Sequence, residues 1–313
     1  MFHGFVGGLA AVLLLLASCG ESAMPPAVPA SPSSAGGVVY PLMLDTPNGP
    51  LTIEDRPQRI VSLSPTATEM LFEIGAGDQV VAVDDQSNYP EGVPTTDLSG
   101  YEPNVEAIAS YEPDLVVYAT EPGDLGSSLE GLGIPALLQP AAATLEEAYG
   151  QIEQLGEVTD HVAEATDVVA EMRTDIDAIV ATVSGDEGLT FYHELDDTYY
   201  SVTSSTFTGQ LYEMVGLVNI ADEAKGAGGG YPQLSAEYII DADPDLIFLA
   251  DTKCCGQSPS TVSRRPGWAG ISAVERGDVI PLEEDVAQRW GPRVVEFLER
   301  IAGAVDEAKA AAA

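Results

Sequence analysis

The chain has 313 residues and carries 12 Lys and Arg against 50 Asp and Glu, a formal net charge of −38. That balance excludes nucleic acid as a partner, since phosphate contacts are made by Lys and Arg, and excludes charge-driven docking on an anionic lipid surface. It does not signal disorder: 45% of the residues are hydrophobic and the acids are dispersed, so most of them form a solubilising coat over one large domain or two lobes.

Leu9 to Ala17 is an unbroken apolar run. It is shorter than the about 20 residues needed to span a bilayer and suits the apolar segment of a secretory signal, although only His3, and no Lys or Arg, precedes it. Leu16-Ala17-Ser18-Cys19-Gly20 resembles the lipobox of bacterial lipoproteins. The resemblance implies a signal peptide over residues 1–18, cleavage before Cys19, and acylation of Cys19. Residues 19–50 are rich in Ser, Pro, Ala and Gly with no amphipathic period and read as a flexible tether. The expected location is extracytoplasmic, with the chain held to the membrane by its N-terminal lipid alone.

A duplication organises the rest. Asn104 to Ala119 (NVEAIASYEPDLVVYA) is echoed without a gap by Ser235 to Ala250 (SAEYIIDADPDLIFLA). Each copy opens on an N-cap residue and places a glutamate, Glu106 or Glu237, at the second helical position, where its charge complements the helix dipole. Each breaks at Pro-Asp and ends in an apolar strand, Leu115–Ala119 or Leu246–Ala250, continuous enough for burial in a parallel sheet. A weaker echo pairs Thr66–Glu73 with Thr206–Glu213. The pattern predicts an α/β protein: two similar lobes with mainly parallel sheets, over 51–143 and 185–313, and a cleft between them. The intervening 144–184 has helical spacing, with a break near Gly156 or Thr159-Asp160, Thr159 as N-cap, and a long connecting helix from about Asp160 to Val183.

Loops that lead into helix N-termini are the natural lining of such a cleft. Tyr101 and Tyr231 precede Asn104 and Ser235 at near-equivalent positions and suit a large flat ligand. Gln86 and Tyr89 lie on one further polar loop, Asp285 and Arg289 on another. Arg289 either meets a ligand anion or amide, or cancels acids such as Glu284 and Asp285. Cys254 and Cys255 are adjacent; their Cα atoms are about 3.8 Å apart, short of the usual disulfide range, so a strained vicinal disulfide and two free thiols stand as alternatives. His161 and His193 are too isolated to make a metal site, and the chain contains no Gly-x-Ser-x-Gly, phosphate-loop or His-Glu-x-x-His motif.

Arg59-Ile-Val-Ser-Leu-Ser-Pro-Thr-Ala-Thr-Glu69, Gly75–Val83, Tyr89-Pro90, Asn104–Ile108, Pro113–Val117, Tyr231-Pro-Gln-Leu-Ser-Ala-Glu237, Arg265-Pro-Gly-Trp268 and Gly291-Pro-Arg293 together resemble the substrate-binding proteins of ferric-siderophore and cobalamin ABC importers, over roughly residues 55–303. The resemblance implies two lobes joined by one long helix, and no catalysis. It implies an ABC permease with its ATPase subunits as partner, reached through Glu106 and Glu237. It implies a metal-chelate ligand, with cobalt or iron carried inside it and no intrinsic cofactor or metal; the chain is read as a monomer. By motif position Tyr231, Tyr101, Asp285 and Arg289 match ligand contacts of the cobalamin binders. Gln86 and Glu194 fall where aromatics are expected, and that departure leaves a ferric siderophore or haem as alternatives to a corrinoid. A ligand-sensing lipoprotein without a permease, and a surface hydrolase or chelate reductase using His193, Glu194 or the cysteine pair, are the rival functions.

Overall fold

The computed structural model describes residues 37–183 and 188–312. The expected signal peptide and Cys19 lie outside the described residues. The first element is an antiparallel hairpin of β1 (Leu42–Thr46) and β2 (Gly49–Ile53). The tether expected to reach residue 50 therefore ends before Leu42. Leu42, Leu44, Leu51 and Ile53 alternate with exposed residues and pack on the core, and Pro47-Asn48 forms the two-residue loop. Alternation and turn chemistry outweigh the Pro-rich composition of this stretch.

The first parallel sheet follows. It comprises β3 (Ile60–Leu63), α1 (Pro65–Glu73), β4 (Val80–Asp84), β5 (Thr95–Leu98), α2 (Val105–Ala109), β6 (Leu115–Tyr118), α3 (Leu125–Gly131) and β7 (Ala136–Leu138), with strand order β5-β4-β3-β6-β7. Two helices come next, α4 (Leu145–Thr159) and α5 (Val162–Thr182). The second parallel sheet comprises β8 (Thr190–Glu194), α6 (Phe207–Met214), β9 (Val218–Asn219), α7 (Ala236–Ala242), β10 (Leu246–Leu249), α8 (Pro259–Val262), α9 (Ser272–Arg276) and β11 (Val279–Pro281), in order β11-β10-β8-β9. The chain ends on α10 (Glu284–Gln288) and α11 (Val294–Ala312). Strands β3, β6 and β10 are buried at every residue, as the continuous apolar runs require of a sheet covered on both faces.

The sequence echo is a structural repeat. The Ala107 N–H donates to Asn104 Oδ1 at 3.0 Å, and the Tyr238 N–H to Ser235 Oγ at 3.2 Å. The Pro-Asp step has the same job in both copies. Asp114 accepts the Gln58 and Arg59 N–H groups at 2.8 and 2.9 Å, just ahead of β3; Asp245 accepts the Thr190 N–H at 3.0 Å, at the start of β8. Each aspartate thus pins the strand that its own strand pairs with. The weaker echo is two residues out of register, because α1 is capped by Ser64 rather than Thr66, while α6 is capped by Thr206.

α5 matches the expected connecting helix, but the break before it works differently. Gly156 lies inside α4, and a Cβ there would stand 2.5 Å from the Ala165 Cβ. Its missing side chain lets α4 and α5 cross closely. Thr159 is the last residue of α4 and bonds back to the Leu155 carbonyl at 2.7 Å instead of capping α5; the chain turns at Asp160, whose φ is 61°. Ile60 and Leu115 of the first sheet, Phe191 and Phe248 of the second, and Ile152, Met172 and Leu298 of α4, α5 and α11 belong to one continuous buried cluster. Both sheets therefore rest on a shared helical layer, which favours small adjustments over wide hinge opening.

Candidate ligand cleft

A crevice of about 280 Å³ opens at the C-terminal ends of β3, β4 and β6. The connections from β3 run to β4 on one side and the sheet continues to β6 on the other, so the crevice sits where the strand order reverses, the usual ligand position in an open parallel sheet. Leu63 ends β3 and Ser64 caps α1, with the Ala67 N–H on Ser64 Oγ at 3.2 Å. Gly100 lets the next loop close down: a Cβ at this position would stand 2.6 Å from the Leu63 carbonyl oxygen and 3.0 Å from Asp84 Oδ2. Tyr101 is thereby held at the mouth, 76% exposed. Larger hollows of about 590 and 470 Å³ lie elsewhere, between the hairpin and α3 and between α4 and α6, away from these strand ends.

The far wall comes from α10 and its exit. The Arg289 guanidinium donates to Glu69 Oε1 at 2.7 Å, to Asn88 Oδ1 at 3.0 Å and to the Gln86 carbonyl at 3.0 Å, and pairs with Asp285 at 3.2 Å. Arg293 closes on the same carboxylate, at 3.0 Å to Oε2 and 2.6 Å to Oε1. Asn88 Nδ2 donates to Asp285 Oδ2 at 2.9 Å, and Lys253 Nζ reaches the same oxygen at 2.7 Å. Burial by itself would raise the Asp285 carboxyl, but the Lys253 and Asn88 hydrogen bonds and the Arg289 charge hold it below its ordinary range. Trp290 Nε1 donates to Gln151 Oε1 on α4 at 2.8 Å, fixing the exit of α10 to the helical layer.

Gln86, Tyr101, Asp285 and Arg289 thus meet in one crevice. Arg289 does cancel Asp285, but its main partner is Glu69, a residue that no local signal singled out. Tyr89 is packed under Arg293, 4.2 Å from its guanidinium, rather than lining the crevice. Tyr231 is 58% exposed on the second-lobe loop. Glu106 and Glu237 are both exposed, at the starts of α2 and α7.

Glu194 differs from expectation. It is fully buried at the end of β8, and Arg265 takes both its oxygens at 2.6 Å. Arg265 in turn lies 4.6 Å over the Trp268 ring. The Arg265-Pro-Gly-Trp segment therefore serves an internal ion pair, and Glu194 is no surface contact. Beside it Asp251 is buried, and desolvation, followed by the charge and hydrogen bonding of Glu194, pushes its carboxyl up to about 8. His193 is fully buried, its Nδ1 2.8 Å from the Tyr212 hydroxyl, and burial pushes it down to about 3, so it is a neutral core residue at physiological pH. The His161 ring places Nδ1 3.2 Å from Thr159 Oγ1, at the turn between α4 and α5. Cys254 and Cys255 are free thiols with Sγ atoms 2.6 Å apart.

This fold and crevice have known counterparts. The chain belongs to the periplasmic binding protein family, whose pattern matches residues 60–286. It is 30% identical to an ABC transporter substrate-binding lipoprotein of Bacillus subtilis, YvrC, over 96% of each chain. It is 30% identical to a cobalamin-binding protein of Halobacterium salinarum, over 83% of this chain and 72% of that one. Among solved structures, a possible iron-binding periplasmic solute-binding protein of Staphylococcus epidermidis is 25% identical, with a TM-score of 0.70 over 80% of this chain and 99% of the other.

Proposed function

We propose that the protein is the extracytoplasmic receptor of an ABC importer, anchored by a lipid on Cys19, that captures a metal chelate and hands it to a permease without altering it. The observation that carries this reading is the crevice at the strand ends, with Tyr101 on its rim and the Asp285–Arg289 pair on its wall. Its 280 Å³ falls just below the about 300–1,000 Å³ of small-molecule sites, so a large flat ligand seats an edge in the crevice while its faces lie against exposed aromatics. Tyr101 and Tyr231 are those aromatics. A corrinoid is the favoured ligand, in keeping with the Halobacterium relative's name, with a ferric siderophore or haem as alternatives; cobalt or iron arrives inside it. Tyr89 and Gln86 support the rim of the site. Glu106 and Glu237, exposed at equivalent helix starts, face arginines of the permease, and the receptor works as a monomer.

Thermal unfolding of the purified protein with cyanocobalamin, a ferric hydroxamate or haem tests the reading. A ligand at 100 times its Kd adds about 2.7 kcal/mol by mass action, a rise in Tm of several degrees. Unchanged Tm across all three chelates overturns it.

A further inference from the structure

The cysteine pair lies outside the crevice, yet a short chain of polar contacts joins the two. It occupies the loop between β10 and α8, with Cys254 exposed and Cys255 half-buried. The Lys253 and Cys254 N–H groups both donate to Glu284 Oε2, at 2.8 and 3.0 Å, and the Cys255 N–H donates to the Asp251 carbonyl at 3.3 Å. Lys253 Nζ binds Glu283 and Asp285, and Asp285 binds Asn88 and Arg289. The loop is therefore the clasp that holds α10, and α10 supplies the far wall of the crevice.

We infer that Cys254 and Cys255 are a reversible thiol–disulfide site whose closure releases this clasp. The oxidant is a small-molecule disulfide, RSSR, of the kind present in an oxidising compartment. A Cys255 thiolate attacks one sulfur of RSSR, forming a mixed disulfide and expelling the first thiolate, which takes up the proton that Cys255 lost. Cys254 then gives up its proton and attacks Cys255 Sγ, expelling the second thiolate. Two cysteine thiols and RSSR become one ring disulfide and two RSH; the protein is oxidised by two electrons and RSSR is reduced. Cys254 acts second because desolvation, the Cys255 hydrogen bond and the Glu284 charge push its thiol up to about 12, which makes it the poorer first nucleophile.

Closing the ring needs backbone movement. Disulfide-linked residues normally have Cα atoms about 4.4–6.8 Å apart, against about 3.8 Å for chain neighbours. The peptide between the two cysteines must turn; its own N–H, that of Cys255, is the one now given to the Asp251 carbonyl, and the N–H of the peptide just before it, that of Cys254, is given to Glu284. The Asp251 carbonyl loses that donor, the adjoining Cys254 N–H is re-aimed away from Glu284, and α10 is held less firmly where Asp285 and Arg289 line the crevice.

The test uses the full chain carrying Cys19→Ser, so that the pair supplies the only thiols, equilibrated in glutathione buffers from fully reducing to fully oxidising. The expected product is a monomer lighter by two hydrogens with no glutathione attached, restored by dithiothreitol. Hydrogen exchange should be severalfold faster over 253–256 and 284–289 in the oxidised form. Cys254→Ser and Cys255→Ser, on an exposed loop, should each stop at a single glutathione adduct with exchange over 284–289 unchanged. Adducts or linked dimers in place of the ring, or a ring that leaves exchange over 284–289 unaltered, would overturn the inference. None of these readouts involves a transported ligand, so their failure would leave the transport reading intact.

Discussion

Glu69 on α1 and Arg289 beyond α10 bind each other at 2.7 Å although 220 residues separate them in the chain. Arg293 shares the same carboxylate, and the three side chains are only 2%, 9% and 13% exposed. The first sheet's leading helix is thereby joined to the last segment of the chain by a buried ion triad. Such a triad adds little net stability over an apolar replacement, but loss of one member leaves buried charge without compensation. Glu69→Gln should therefore lower the unfolding free energy by about 3–5 kcal/mol, read by urea denaturation, because two guanidinium groups lose their common anion. A loss below about 1 kcal/mol, the value of an exposed pair, would show that the triad is not the joint described here.

Tyr101 and Tyr231 are exposed, so their removal costs the empty protein little. Tyr101→Ala and Tyr231→Ala should each leave unfolding stability within about 0.5 kcal/mol. Against a bound chelate each should raise Kd by roughly 2–10-fold, matching about 0.5–1.5 kcal/mol per aromatic contact. Titration calorimetry with the chelate that stabilises the parent protein measures this. Unaltered affinity in both variants would remove the tyrosines from the site.

The buried ionisable groups predict the pH dependence. Asp251 is raised from 3.8 to about 8, so between those limits the folded state holds a proton that the unfolded state has released, and stability falls as pH rises until about 8. His193 is lowered from 6.5 to about 3, so between those limits the unfolded state binds the extra proton, and stability rises with pH up to about 6.5. The two slopes oppose each other below 6.5 and leave a net decline between 6.5 and 8. Asp251→Asn, which cannot ionise, should abolish that decline in denaturation curves collected across this range. An equal decline in the variant would place the titration elsewhere.

Glu106 and Glu237 have no structural duty beyond the helix dipole, and both are exposed. Reversing both to Arg should abolish chelate uptake by whole cells while leaving chelate affinity within twofold and stability within about 0.5 kcal/mol. Uptake at the parent rate would show that the permease is engaged by another surface.

Much of the fold could be read from local signals. Apolar runs at Leu115–Tyr118 and Leu246–Leu249, caps at Asn104 and Ser235, and the helical period of Val162–Thr182 are properties of neighbouring residues, and each formed as expected. The hairpin at 42–53 also had a local signal, its alternation of Leu42, Leu44, Leu51 and Ile53, obscured by the Pro and Ser around it.

What only the tertiary structure decided concerns charge. Most of the 50 acids are interchangeable to a reading of composition, whose formal sum is −38. Folding distinguishes them: it sinks Glu69 between Arg289 and Arg293, buries Glu194 under Arg265, desolvates the Asp251 carboxyl beside Glu194, and exposes Glu106 and Glu237. The reason is physical. Helix and strand formation depends on residues a few positions apart, whereas desolvation and ion pairing depend on which distant segments the fold brings within about 3 Å.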